Sequence, residues 1–489
     1  MAKNVIEELE PTHLWKRFYE MTQVPRPSKK EEKIREHMRN LLRELKVEFK
    51  EDKTGNIVAF VPAKSGFENS PTVVLQGHVD MVCEKNKDKK HDFENDPLTV
   101  VKVDGWVTAD GTTLGSDNGI GVAAALAIIT DPDAVHGPLE ILMTVDEETG
   151  LTGANNLNKG FITGKYLLNM DSEEDGAFYV GCAGGIDTVA TFDIQTEKRD
   201  SSTSSYELLI TGLVGGHSGL DILIGRGNAI KILGRALNSL NEIEYRVASL
   251  DGGSLRNAIP READAIIFMD EENFKKASKI ISDFQNDVGN ELQGVDEGIN
   301  VVLKKTDSDL EMVYTKEFTD KIINVFMALP HGVIAMSNDI KGLVETSTNL
   351  ATVKLVDGRL RIGTSQRSSV ESAKKYIKQS VSSIFDLSGG EVEDGDGYPG
   401  WKPNMNSTLL KISKQVFKDL FNKEPEIKAI HAGLECGILE SKNPGVDIIS
   451  FGPTILGAHS PDERVNIKTV DRFYKLLKGI LKNIATSSK

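Results

Sequence analysis

The sequence predicts a layered α/β domain into which a second, α+β domain is inserted. Short apolar runs alternate with helical stretches toward both ends of the chain, the middle changes to hairpin-like alternation, and Gly-rich segments mark the joins. Strands alternating with helices fit a layered sheet whose sites form beyond the carboxyl ends of the strands. The chain of 489 residues exceeds one ordinary core, since a domain takes roughly 150 residues.

The first helical region ends near Pro25 and Pro27. Ser28, with Glu31 three residues on, then reads as a capping box for a helix through about Leu45. Apolar runs at Asn56–Val61, Thr72–Gln76, Leu139–Val145, Tyr166–Met170 and Asp447–Phe451 read as strands, and Ile120–Ile129, Leu409–Phe421 and Val470–Asn483 as helices. Between them, strands Tyr206–Thr211 and Ala263–Phe268 alternate with helices Asn228–Ser239 and Phe274–Asp287. Asp357-Gly358 between alternating apolar positions signals a hairpin, and a helix Val370–Ile384 follows it. Gly181–Gly185 reads as the entry linker and Gly389–Gly400 as the exit linker. The expected boundaries are 1–186 and 399–489 for the α/β domain and 187–398 for the insert.

Lys and Arg number 58 against 73 Asp and Glu, a net charge of -15 with no basic block. This balance argues against nucleic acid and anionic membrane as partners. The N-terminal segment lacks a signal peptide's apolar core, and no apolar run is long enough to span a bilayer. The expected location is cytoplasmic. Cys83, Cys182 and Cys436 form no CxxC pair, which fits a reducing compartment.

Five motifs carry chemistry. His78 and Asp80 lie two apart just past a strand, so in extended backbone both face one side. Asp117 stands in Gly115-Ser116-Asp117-Asn118-Gly119 at the start of an Ala-rich helix. Gly119-x-Gly121-x-x-Ala124 also satisfies a lax dinucleotide fingerprint, but no apolar strand directly precedes it and an acid in the loop would repel pyrophosphate. Asp146-Glu147-Glu148 and Asp171 follow strands, and His459 lies in a Gly/Pro-rich loop after the last one. Taken singly, each has an ordinary explanation, such as a chance His-x-Asp, a helix N-cap or a solvated strand end. Jointly they mark the shared rim of one sheet. Two divalent cations would be balanced by Asp117, Glu148 and Asp171 with one hydroxide. Imidazole and carboxylate without thiolate suit Zn, with Co or Mn as alternatives.

These residues resemble the co-catalytic zinc aminoacylase and carboxypeptidase superfamily, most closely its aminoacyl-histidine dipeptidase branch, which is similar to the carnosinases. The resemblance covers nearly the whole chain and implies a zinc-peptidase-like catalytic domain with the insert as a lid. It implies that Asp117 bridges two metals, that His78 and Asp171 complete one site and Glu148 and His459 the other, and that Glu147 is the general base. Asp80 orients His78. A cis peptide after Asp117 is also implied. In the insert the resemblance points to His217 as oxyanion donor, Asn257 as a substrate contact and Arg367 as the partner of a substrate carboxylate. Without it His217 reads as a loop histidine and Arg367 as a solvated hairpin-end arginine. His431 and Glu435 read equally as a loop meeting the substrate's amino end or as a structural loop.

The expected reaction is hydrolysis of dipeptides, Xaa-His and β-alanyl-histidine among them, by a metal-bridging hydroxide whose proton Glu147 takes. Removal of an N-acyl group or tripeptide cleavage at the same centre is the alternative. A homodimer is implied by the relatives.

Overall fold

A computed structural model describes residues 5–395 and 397–487. The chain divides into two compact units, one of Met1–Gly181, Pro403–Ala429 and Leu434–Lys489, the other of Cys182–Lys402 and Ile430–Gly433. The short piece Ile430–Gly433 returns to the second unit after the chain has re-entered the first.

In the first unit an eight-stranded sheet runs Glu48–Glu51, Ile57–Val61, Leu139–Thr144, Val73–His78, Tyr166–Asn169, Asp447–Ser450, Ala177–Cys182, Glu426–Ile430. Its centre is parallel: Val73–His78 pairs in parallel with Leu139–Thr144 and Tyr166–Asn169, and Asp447–Ser450 pairs likewise with Tyr166–Asn169. All residues of Val73–His78, Leu139–Thr144 and Tyr166–Asn169 are buried, which is why they read as unbroken apolar runs. Helix Ser116–Thr130 is apolar on every side and packs on helix Thr12–Thr22 and strand Val73–His78. Gly121 lets it approach: a Cβ there would sit 2.4 Å from the Met170 carbonyl oxygen. A second, four-stranded sheet joins Ile455–Leu456, Arg464–Asn466, Trp106–Ala109 and Val100–Val103.

The second unit is built on an antiparallel sheet in the order Asn300–Lys305, Ser204–Thr211, Ala263–Met269, Arg246–Gly252, Val344–Val356, Arg359–Ser368, Gly184–Asp193, Glu391–Asp394. Apolar side chains of this sheet form one core with helices Ala229–Ser239, Glu271–Glu291, Lys316–Ala328 and Glu371–Leu387. Asn228, Asp270 and Thr315 cap the first three of these helices with their own side chains. Asp357 and Gly358 both have positive φ, 50° and 76°, as a two-residue hairpin turn of matching twist requires.

Two local expectations are corrected. Ser28 and Glu31 form no capping box, and helix Glu32–Glu44 has no side-chain cap. Ser28 instead donates to Asp80 and Glu31 accepts from the Asp146 N–H, so both serve tertiary contacts that outcompete the local one. The Gly-rich acidic segment at 389–400 is more than a linker, since Glu391–Asp394 pairs with Thr188–Thr191 as an edge strand. Asp396 within that segment, and residues 1–4 of the N-terminal segment, lie outside the described residues. Among the described residues no helix is long and apolar enough to cross a membrane.

Gly121→Ala should destabilise the first unit by about 1–3 kcal/mol through overpacking against Met170. Urea unfolding measures the change, and a midpoint equal to that of the wild type would refute the close approach.

Candidate metal centre

Strand ends deliver the ligating side chains. His78 is the last residue of its strand; Asp146, Glu147 and Glu148 follow Leu139–Thr144, and Asp171 follows Tyr166–Asn169. The parallel pairing sets His78 opposite Thr144 and Gln76 opposite Asn169, so these acids and the imidazole emerge at one edge. Asp117 and His459 come from the small sheet. Strand Trp106–Ala109 leads toward the 114–117 turn, and the hairpin Ile455–Leu456 to Arg464–Asn466 carries His459. Since Arg464 pairs with Thr108, the two loops spring from neighbouring strand ends. His459 itself has φ 62°, a left-handed conformation uncommon outside glycine.

Asp117 lies between the two imidazoles. Its Oδ1 is 3.1 Å from His78 Nε2 and its Oδ2 is 3.3 Å from His459 Nε2. His78 Nε2 is also 3.3 Å from Asp171 Oδ1, and His459 Nε2 is 3.0 Å from Glu148 Oε2. Two groups of donors that could hold a metal ion therefore share Asp117: His78, Asp117 and Asp171, and Asp117, Glu148 and His459. The bond between Asp117 and Asn118 is cis. On the far side of the His78 ring, Nδ1 is 3.3 Å from Asp80 Oδ1. Asp80 in turn accepts the N–H groups of Glu147 and Glu148 and the hydroxyl of Ser28, which fixes the acidic turn relative to His78.

The charge pattern asks for cations. Burial, with Asp171, Glu435 and Glu148 nearby, pushes the Glu147 carboxyl well above the usual range although His78 opposes it. Burial likewise raises Asp171 to about 8 against the pull of His78. His459, bonded to Asp117 and Glu148, is pushed up to about 11. The buried oxygens Glu148 Oε1 and Asp171 Oδ1 accept no hydrogen bond among the described residues. Unfilled carboxylate lone pairs, imidazole nitrogens and the lack of any cysteine in the groups fit divalent Zn, Co or Mn. By contrast Glu31, Asp80 and Asp146, another cluster of acids, is filled by donors: Thr149 and Thr152 hydroxyls bond Asp146, and backbone N–H groups bond Glu31.

Glu435 opens helix Glu435–Lys442, so it leaves the loop expected for it. It is fully buried, its Oε2 accepts from Gln76 and the Thr144 hydroxyl, its Oε1 accepts nothing among the described residues, and burial raises it to about 7.

His217, Asn257 and Arg367 lie in the second unit. His217 Nδ1 accepts two backbone N–H groups, from Gly219 at 3.1 Å and Leu220 at 3.0 Å. The ring proton is thereby placed on Nε2. Burial and the charge of Arg367 lower the pKa and keep the ring neutral. The loop is closed by one buried carboxylate, Asp296, whose two oxygens accept Val214 N and Gly227 N, each at 2.7 Å. Asn257 is exposed beside it, its carbonyl accepting Ser218 N at 2.8 Å. Arg367 is nearly buried and donates to the Tyr398 hydroxyl at 2.9 Å, while its Nε has no partner among the described residues. His431 bonds the Ser347 hydroxyl at 2.7 Å, and burial takes it down to about 3.

Sequence reasoning missed Arg26 and Glu463. Arg26 is fully buried and donates to the carbonyls of Val79, Asp80 and Gly115. Glu463, four residues after His459, gives no local signal, because its bonds reach back to residues 114–117.

The sequence pattern of Peptidase family M20/M25/M40 matches residues 74–483. The chain is 40% identical over 481 residues to the cytosol non-specific dipeptidase of Escherichia coli (strain K12), covering 98% of this chain and 99% of that protein. It is similar to the crystal structure of an aminoacylhistidine dipeptidase from Vibrio alginolyticus, with TM-score 0.92, 39% identity and coverage of 98% of this chain and 97% of that one. An aminopeptidase from Bacillus cereus shares the fold, with TM-score 0.57, 16% identity and coverage of 98% and 99%.

Stripping the protein with a chelator should lower its unfolding midpoint, and added Zn, Co or Mn should restore it. At metal a thousandfold above Kd the gain is about 4 kcal/mol. Thermal unfolding with and without metal reads this, and no shift would refute a cation site.

Proposed function

The chain belongs to peptidase family M20/M25/M40, and from that premise we propose that it is a two-metal dipeptidase acting on Xaa-His and related dipeptides, β-alanyl-histidine included. One observation carries this reading: Asp117 is shared by two donor groups, and Glu147, whose N–H bonds Asp80, lies beside them with His78 and Glu148. Similarity to the Escherichia coli and Vibrio alginolyticus dipeptidases supports the dipeptide class. Similarity to that cytosolic E. coli dipeptidase also supports a cytoplasmic location, and we take the functional form to be a homodimer.

In this reading Asp117 would be common to two cation sites, with His78 and Asp171 holding one and Glu148 and His459 the other. Zn is the expected metal. When bound, two such ions polarise the scissile carbonyl and acidify a water. Glu147 would take a proton from the attacking water and deliver it to the departing amine. Asp80 keeps the His78 ring oriented. His217, neutral with its proton on Nε2, donates to the oxyanion as it develops, a contribution typically worth about 3 kcal/mol of barrier. Arg367 forks onto the substrate's terminal carboxylate, with Asn257 and Glu435 as further substrate contacts.

Glu147→Ala should keep its metal content while kcat falls by about 100- to 10,000-fold. Metal analysis beside steady-state rates decides this, and normal turnover in the loaded variant would sink the assignment. Dipeptides amidated at the C-terminus should bind poorly if Arg367 holds the carboxylate. Equal hydrolysis of free-acid and amidated forms would refute that role, and faster turnover of N-acetyl amino acids or tripeptides would move the substrate class.

A further inference from the structure

The regular part of helix Ser116–Thr130 follows an irregular turn, for Gly115 is left-handed and Asp117 and Asn118 have non-helical φ/ψ. No neighbouring side chain caps that turn, and its buried N–H groups must find partners elsewhere. The partner is Glu463, 2% exposed and hundreds of residues away in sequence. Its Oε2 accepts Leu114 N at 2.7 Å and Gly115 N at 2.9 Å. Its Oε1 accepts Ser116 N and the Ser116 hydroxyl, each at 2.6 Å, and Asp117 N at 3.3 Å. One carboxylate thus gathers four consecutive N–H groups and a hydroxyl, and the last of the four belongs to Asp117.

Glu463 also ends the hairpin loop that carries His459, and strand Arg464–Asn466 starts directly after it. From the other side Arg26 grips the Gly115 carbonyl together with the carbonyls of Val79 and Asp80. The turn at 114–117 is therefore held by its N–H groups from the His459 loop and by a carbonyl from the residue that also holds the His78–Asp80 segment.

We propose that Glu463 is a positioning residue of the metal centre: by clamping the backbone at 114–117 it turns the Asp117 carboxylate so that one oxygen faces His78 and the other His459. The inference rests on Asp117 being the shared ligand. It explains why the N–H groups of a turn that is not yet helical converge on one distant acid. It also makes the register between two metal sites depend on a residue that touches neither.

The test uses metal-free full-length protein titrated with Co(II), followed by calorimetry and by the visible absorption of bound cobalt. Glu463→Gln keeps the volume but sets an NH2 against backbone N–H groups. Cobalt affinity should fall by about 10- to 100-fold, and the absorption bands of the loaded variant should shift because Asp117 is turned. A merely structural role would lower the unfolding midpoint without changing the spectrum. Wild-type affinity within about twofold, with an unchanged spectrum, overturns the role of Glu463. Should that variant fail to fold, Ser116→Ala, which deletes only the hydroxyl bond to Glu463, takes its place and is read in the same way. A wild-type protein that takes up no cobalt overturns the metal reading of Asp117 itself, and this inference with it.

Discussion

Negative charge crowded beyond the ends of parallel strands is the constraint on which the rest of the first unit depends. Asp80, Asp117, Glu147, Glu148, Asp171 and Glu435 gather around His78 and His459. Burial favours protonating such acids and mutual repulsion favours it further. Hydrogen-bond donors relieve part of this, and the oxygens left unfilled on Glu148 and Asp171 are where donors run out. Divalent cations relieve the rest, which is the physical reason a metallopeptidase can place acids here without neutralising them.

The surrounding structure holds backbone against side chains that would otherwise spread. Asp80 takes the N–H groups of the acidic turn, Glu31 takes the one before them, and Glu463 takes those of the Asp117 turn. The second unit uses the same device on a different loop, where Asp296 closes both ends of the segment bearing His217. In each case a buried carboxylate satisfies N–H groups that no regular element serves. The acidic turn, the Asp117 turn and the segment bearing His217 are thus each pinned through backbone N–H groups by a buried carboxylate.

Much of the fold was legible because burial leaves periodic marks. The parallel strands appeared as unbroken apolar runs, the 344–368 hairpin as alternation about Asp357-Gly358, and two helices of the second unit as the stretches Asn228–Ser239 and Phe274–Asp287. Misreadings arose where local chemistry had a tertiary competitor. Ser28 and Glu31 fit a capping box in spacing, yet the Asp80 and Asp146 turns claim them. The 389–400 segment has turn-like composition, yet the open edge at Thr188–Thr191 recruits Glu391–Asp394 into the sheet. Arg26 and Glu463 were silent because an isolated buried charge has no period and its partners lie far along the chain.

By itself the sequence determined which side chains could take part and in what order they follow strands, because ligand chemistry is written in residue type and strand ends in hydrophobic pattern. Only the tertiary structure decided that each Asp117 oxygen meets a different imidazole, across separations of 39 and 342 residues. It also decided that His217 carries its proton on Nε2, and that Glu435 opens a helix and bonds Gln76 and Thr144 where a loop had been expected. Such features are distances and angles between segments, set by sheet pairing and backbone clamps, and no local pattern encodes them.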